Sequence, residues 1–407
     1  MRVALAIQHF PPYRGGAEQQ ARLLARRLAT LTERCDVITS RHEPGLPRVS
    51  HEGDARVIRL PTAGPQRVRR AVNGLVAFAY FVYNGGRYDV VHAHCLSPFA
   101  LGAILGARLR GTRTVLKICT LGACGDVAKV RDGRLGGWLW RGFAQTDRWV
   151  TTSAAGREEA LAQGLPEQRV SLVPNGVEIP DLPTRADPRS VAERRRELGL
   201  ADRPTCLYVG RLVPGKGLDA IVRAWPTIQA RSGAALALVG DGPLGAQLRE
   251  WAEAPALAGS VQLIGWQADP SRYYAAADLL LFPSTSEAFG NVLAEAMAHG
   301  VAVLTTPVGL ASRYARHREN AWVLPGACDQ AELAGAIQHA ACELLADPEL
   351  RLALGERARA TARASFEVEP VVNTYLEIYR ALVAGDARRG CATPAARAVP
   401  PLETDHA

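Results

Sequence analysis

Residues 205–239 run TCLYVGRLVPGKGLDAIVRAWPTIQARSGAALALV. The apolar run Thr205–Val209 shows no alternation with polar residues, so it predicts a strand covered on both faces. It empties into a glycine-rich loop, Gly210 to Gly217, and then into a helical pattern over Leu218–Ala230. A second apolar run, Ala235–Val239, follows. Strand, helix and strand in that order predict two parallel strands joined by a crossover helix.

Outward from this unit the alternation continues both ways. Toward the C-terminus it predicts strands at Val261–Ile264, Leu279–Phe282, Val301–Leu304 and Ala321–Val323, and a helix at Val292–His299. Toward the N-terminus it predicts a separate series: Arg2–Ile7, Cys35–Thr39, Arg56–Leu60, Asp89–Ala93, Thr114–Ile118, Trp149–Thr152 and Arg169–Val173. A helix is expected at Ala17–Ala29. The series resets near Pro174-Asn175-Gly176, where a Pro-rich stretch from Pro180 to Pro188 and a basic helix, Val191–Leu198, precede the second series. The fold class is therefore α/β, with two doubly wound Rossmann-like domains, a size that 407 residues suit. We place an N-terminal domain at 1–175, a C-terminal domain at 176–365, a helix at 366–384 and a disordered tail at 385–407. Ligands of such sheets sit outside the carboxyl ends of the strands, so the cleft between the two domains is the expected site.

Composition narrows the function. The chain is 48% apolar and 22% charged, which excludes gross disorder. No run is long enough to span a bilayer: Ala71 to Tyr83 is broken by Asn73-Gly74, and Val3–Ile7 is too short for a signal peptide. Eight scattered cysteines lack any C-x2-C spacing; Cys119-x4-Cys124 is the one close pair and reads as buried thiols in a reducing compartment, hence cytoplasm. Residues 1–175 carry 25 Lys+Arg against 13 Asp+Glu, leaving 23 against 27 for the rest. That asymmetry suits nucleic acid, an anionic membrane or an anionic substrate. With 6% aromatic residues and neither zinc spacings nor an aromatic-basic RNA motif, nucleic acid is not expected. Peripheral membrane contact is an expectation from two patterns. Arg67, Arg69 and Arg70 precede the apolar segment 75–82, and Trp138, Trp140, Phe143 and Trp149 interleave with Arg134, Arg141 and Arg148. A core helix flanked by solvated arginines is the competing reading.

Four motifs follow strands. Gly15-Gly16-Ala17-Glu18 opens a helix, where paired glycines let backbone amides approach an anion. In Gly210–Gly217, Arg211 and Lys216 can converge on one ligand as a planar fork and a point charge, which suits a pyrophosphate. Lys216 is one of only three lysines beside 45 arginines. The segment Gly240-Asp241-Gly242-Pro243-Leu244-Gly245 matches G-x-G-x-x-G, but it follows the second strand of its domain and no acidic residue ends the next strand at Ile264-Gly265-Trp266. A nicotinamide-dependent oxidoreductase is thus the minor alternative. Finally, Pro283–Gly300 carries Glu287 at a strand end and Glu295 inside a helix among Val292, Ala294, Ala296 and Met297, where a carboxylate needs hydrogen-bonding hydroxyls.

Glu287 and Glu295 form E-x7-E, and S-E-A-F-G-N-V-L-A-E-A-M-A-H-G around them resembles the family 4 retaining glycosyltransferases of the GT-B fold. The same family order holds for G-G-A-E early, D-V-V-H-A-H at 89–94, V-P-N-G-V at 173–177, G-R-L-V-P-G-K-G at 210–217 and V-G-D-G-P at 239–243. The resemblance implies a nucleoside-diphosphate sugar as donor, with UDP-sugar ahead of GDP-sugar. It implies a saccharide or lipid-linked acceptor held mainly by the first domain, and no cofactor or metal, in keeping with the lack of D-x-D. It places Glu287 by the donor sugar hydroxyls and Glu295 on the ribose. Arg211 and Lys216 fall on the diphosphate, helped by the backbone of Gly290, Asn291 and Val292, with Gly16 approaching when the cleft closes. Many members carry a sugar-facing His after the fifth strand; here Lys117 or Cys119 stands there, followed by Gly122-Ala123-Cys124-Gly125-Asp126. His94, closing the fourth strand, is our substitute, and His92 is read as core. The amphipathic pattern of Val372, Tyr375, Leu376, Tyr379 and Leu382 is expected to cross back onto the N-terminal domain. A binding protein without activity is the remaining alternative, which the intact Glu and Arg/Lys sets oppose.

Overall fold

Eight strands make the first sheet of the computed structural model: β1 (Arg2–Ala6), β2 (Arg34–Ser40), β3 (Val49–Glu52), β4 (Ala55–Leu60), β5 (Val90–His94), β6 (Arg113–Lys117), β7 (Arg148–Thr151) and β8 (Val170–Leu172). All residues are described except 63, 123–124, 134, 182–187, 258, 327–328 and 386–407. The expected tail and most of the Pro-rich stretch therefore lie outside the described residues. Strand order is β3-β4-β2-β1-β5-β6-β7-β8. Every neighbour is parallel except β3, which runs antiparallel to β4. The sequence reading had no β3, because Val49–Glu52 alternates exposed and half-buried positions on the sheet edge and offers no apolar run.

The helices of this part are α1 (Gly16–Leu31), α2 (Gln66–Asn84), α3 (Pro98–Leu109), α4 (Asp126–Arg131), α5 (Gly136–Phe143) and α6 (Ala154–Ala162). Successive residues of β1 serve opposite faces. Ala4 and Ala6 join a core with α2 to α6, and Val3 and Leu5 join one with α1. Helices α2 and α3 nearly touch along their backbones: a Cβ on Gly102 would lie 2.0 Å from the Gly74 carbonyl oxygen. The glycine that breaks the apolar run 71–83 is thus a helix-packing contact. Among the described residues no helix is long and apolar enough to cross a membrane. Of the aromatic-basic interleaving, Trp140, Phe143, Trp149 and Arg148 are buried; Trp138 and Arg141 are exposed, with Arg141 over the Trp138 ring.

The second sheet contains β9 (Thr205–Val209), β10 (Ala235–Val239), β11 (Val261–Gly265), β12 (Leu279–Phe282), β13 (Ala302–Thr305) and β14 (Trp322–Val323). It is parallel throughout, in the order β11-β10-β9-β12-β13-β14. Its helices are α7 (Pro188–Glu197), α8 (Leu218–Ser232), α9 (Gly245–Ala252), α10 (Ser271–Ala276), α11 (Asn291–Ala298), α12 (Ala311–Tyr314), α13 (Gln330–Ala346) and α14 (Pro348–Phe366). One core gathers Leu218, Ile221 and Trp225 of α8 with α13; the other gathers α10, α11 and Phe366 of α14. The last helix, α15 (Val368–Val383), buries Val371, Val372, Tyr375 and Tyr379 in the first sheet's core beside Leu24 and Leu28 of α1. Two compact units result, Met1–Gly176 with the segment from Val368 on, and Val177–Glu367. In each sheet the strand order reverses once, between β1 and β5 and between β9 and β12, which opens a crevice at the carboxyl strand ends.

Candidate active site

Strands β9 and β12 pair directly, so the loops that leave them emerge side by side at the second unit's reversal point. The Thr285 amide and hydroxyl both donate to the Gly215 carbonyl, at 3.0 and 3.1 Å. Gly217 sits at φ +72°, and a Cβ there would lie 2.2 Å from the Pro283 carbonyl oxygen. A third loop, after β13, supports these two: Thr306 Oγ1 donates to the Ser284 carbonyl, and the Leu310 amide donates to Phe289 O at 2.7 Å.

On this scaffold Lys216 Nζ donates to Glu287 Oε1 at 2.6 Å, and Ser284 Oγ donates to the same oxygen at 2.9 Å. Both partners keep some solvent access, 28% for Lys216 and 16% for Glu287. Arg211 is exposed on the same loop, its carbonyl held by the Tyr208 hydroxyl at 3.0 Å. Gly290, at φ +92°, precedes α11, so the first-turn amides of Asn291 and Val292 stand at the carboxyl end of β12. One turn further, Glu295 Oε2 accepts from the Tyr274 hydroxyl at 2.8 Å. Withdrawal from water pushes this carboxyl up to about 7, with the Asp269 charge adding to the shift, although the Tyr274 bond opposes it. Near neutral pH it can both donate and accept.

The G-x-G-x-x-G segment has a structural use. A Cβ on Gly240 would lie 1.8 Å from the Gly210 carbonyl oxygen, and one on Gly242 2.4 Å from that of Leu212. The Leu212 amide also donates to Asp241 O at 2.9 Å. These glycines seat the β10 loop against the Arg211 loop.

The remaining candidates belong to the first unit. Gly16 begins α1 at the carboxyl end of β1, and His94 ends the neighbouring β5. His94 is 1% exposed, and neither ring nitrogen has a hydrogen-bond partner among the described residues. Burial, with the Lys117 charge, keeps its ring neutral. His92 is core, its Nδ1 2.7 Å from the Tyr379 hydroxyl of α15. Lys117 is buried and donates to Asn175 Oδ1 at 2.6 Å, with its ammonium 5.7 Å from the centre of the Tyr375 ring. Cys119, read from the sequence as a buried thiol, is half-buried because it sits in the loop after β6, and it neighbours Cys95; Cys124, the other thiol of that close pair, lies outside the described residues.

Two family models cover most of the chain: "Glycosyl transferase 4-like domain" over residues 15–176 and "Glycosyl transferases group 1" over residues 190–361. The D-inositol 3-phosphate glycosyltransferase of Acidothermus cellulolyticus is 31% identical, with 96% of this chain and 92% of that one covered. The chain belongs to the family 4 glycosyltransferases. It is a glycosyltransferase with the GT-B fold. The N-acetyl-alpha-D-glucosaminyl L-malate synthase of Bacillus anthracis is 28% identical over 72% of this chain and 74% of its own. Among solved structures, Anabaena HepE in complex with UDP superposes with a TM-score of 0.73 at 21% identity, covering 94% of this chain and 100% of that one.

The family membership leaves no room for the oxidoreductase alternative. Within this glycosyltransferase the structure brings Lys216, Glu287 and the start of α11 together, and places Gly16 and His94 in the first unit. Sequence reading gave Ser284 no role and missed Tyr274 and the Thr306–Leu310 loop. Tyr274 sits in a helix where Tyr273, Ala275 and Ala276 are core as well, so nothing in its spacing set it apart. Gly309 after β13 was the available signal, since a Cβ there would lie 2.3 Å from Phe289 O.

Proposed function

We propose that the enzyme transfers a hexosyl group, with retention, from a nucleoside-diphosphate sugar to a hydroxyl of a saccharide or lipid-linked acceptor. A UDP-sugar is the donor we favour over a GDP-sugar, and UDP in the HepE complex supports that choice. The observation that carries the reading is the Lys216–Glu287 pair at the strand reversal, beside the amides of Asn291 and Val292. Lys216 and Arg211 take the diphosphate and stabilise charge as it departs. Glu287 takes the sugar hydroxyls and Glu295 the ribose. Among the described residues no side chain stands out as a nucleophile, so we assign the acceptor proton to a leaving-group oxygen on the same face. His94 is assigned to the sugar-facing side, and Gly16 to an anion at the start of α1. No cofactor or metal enters this reaction, so transfer persists in chelator.

An anionic acceptor fits the excess of 25 basic over 13 acidic residues in 1–175. The named acceptors of the two relatives, L-malate and inositol 3-phosphate, are anionic too. We place the enzyme in the cytoplasm, where its described free thiols persist, with peripheral contact at the inner face of the plasma membrane. Flotation with anionic liposomes at low salt tests that contact, and protein left at the bottom of the gradient removes it.

A thermal-shift screen against UDP-, GDP- and ADP-sugars tests the donor. A correct donor at a hundredfold over Kd stabilises the native state by about 2.7 kcal/mol. Proton NMR of the product then reads the anomeric configuration. No stabilisation by any of the donors, or an inverted product, defeats the proposal.

A further inference from the structure

Two thiols and a carboxylate converge at the carboxyl end of the first unit's sheet. Cys95 directly follows β5, and Cys119 lies two residues beyond its neighbour β6, which pairs with it through His94 and Lys117. Asp126 opens α4. One ligand atom from each residue, two Sγ and a carboxylate oxygen, lies within 4.8 Å of the others. Both cysteines are free and half-buried, which leaves a path for a small ion, whereas Asp126 is buried.

The carboxylate is already aimed. Its Oδ2 accepts from the amides of Cys119 at 2.8 Å and Thr120 at 3.3 Å, and its Oδ1 accepts from Thr120 Oγ1 at 2.7 Å. Oδ1 keeps a lone pair, and donors of this kind orient a metal-binding carboxylate. Cys95 is held at φ +60°, a left-handed conformation that among described non-glycine residues only Arg318 shares. Such residues gather at functional sites. Asp126 sets a carboxylate charge beside both thiols. The same negative charge attracts a cation.

We propose that Cys95, Cys119 and Asp126 bind one thiophilic divalent cation of the zinc class, through two thiolates and one carboxylate oxygen, with a fourth position left to solvent. Binding releases the two thiol protons to solvent. The ion ties the ends of β5 and β6 to the start of α4. All three ligands belong to the first unit, and Cys95 directly follows His94.

Metal-free full-length protein is titrated with Co²⁺ and followed by the thiolate-to-cobalt charge-transfer band. One equivalent binds, and excess Zn²⁺ displaces it. Cys95→Ser and Cys119→Ser each abolish the band while melting as folded proteins, so if one fails to fold the other still decides. Cys342→Ser, a buried thiol of the second unit, retains the band, as does the triple variant Cys124→Ser, Cys328→Ser and Cys391→Ser. A wild-type protein that takes up no cobalt overturns the site. So does a band that survives either single substitution or vanishes from the triple variant, and so does recovery of Cys95 and Cys119 as a disulfide.

Discussion

At the second unit's strand reversal, between β9 and β12, the loops carry a 2.6 Å Lys216–Glu287 ion pair open to solvent. At the first unit's reversal, between β1 and β5, the corresponding strand end carries His94, 1% exposed, neutral and with its ring centre 4.4 Å from that of His92, tilted 30° to it. Nearby, Lys117 is buried and holds Asn175. Both sheets share the same reversal of strand order, and their chemistry is opposite. Strand order decides where loops emerge; the loop residues decide what meets a ligand there. A charge left near water can trade its partner for a substrate phosphate, whereas one sealed by packing is committed to the fold.

The largest test of this contrast is Lys216→Ala. It removes a preorganised cation from the departing diphosphate, and turnover at saturating donor falls about 10²-fold or more. Unchanged turnover of purified protein removes Lys216 from the mechanism and dissolves the contrast.

Gly240→Ala probes the scaffold that sets the Arg211 loop. Its Cβ would collide with the Gly210 carbonyl at a φ of +151°, so stability falls by about 1–3 kcal/mol and donor affinity falls with it. Urea unfolding reads the first effect and donor titration the second. Wild-type values for both would show that the two loops yield.

Glu295→Gln gives a pH-dependent result. The folded carboxyl titrates at about 7 against an ordinary 4.5, so between these values the native state holds more protons than the unfolded one. Its contribution is fully present below pH 4.5 and is lost as pH rises through 7. The neutral variant has nothing to lose, so its stability relative to wild type improves across that window, by about 1–2 kcal/mol once partial exposure is allowed for. Thermal melts from pH 4 to pH 8 check the sign (pH values as set by the buffer). A difference that stays flat with pH would mean that Tyr274 holds Glu295 ionised.

The smallest expected effect on stability and donor binding is from His94→Leu. A ring with no hydrogen-bond partner loses little when replaced by an apolar side chain, so stability stays within about 1 kcal/mol of wild type. Donor affinity stays within about twofold. Isothermal titration with donor reads the affinity, and a tenfold weakening would show that His94 carries donor affinity as well as facing the sugar.

Strand positions were readable because strands buried on both faces leave uninterrupted apolar runs, and β9, β10 and β12 lie where those runs lie. The edge strand β3 escaped because only one neighbour and no deep core select its residues. In the candidate site, residue types and spacing were enough to single out Arg211, Lys216, Glu287 and Glu295. They were not enough to pair Cys119, whose sequence neighbour Cys124 suggested itself while the fold supplied Cys95 from another strand. Local periodicity and the loop motifs are written in consecutive residues, so the amino-acid sequence by itself determined two α/β units and the loops that carry charge. Which charges touch depends on strand order. Lys216 reaches Glu287 across 71 residues because β12 lies beside β9, Lys117 reaches Asn175 across 58, and Glu295 finds Tyr274 on a different helix. Those pairings, and the protonation they impose on Glu295 and His94, arise from burial and proximity that exist only once the chain has folded.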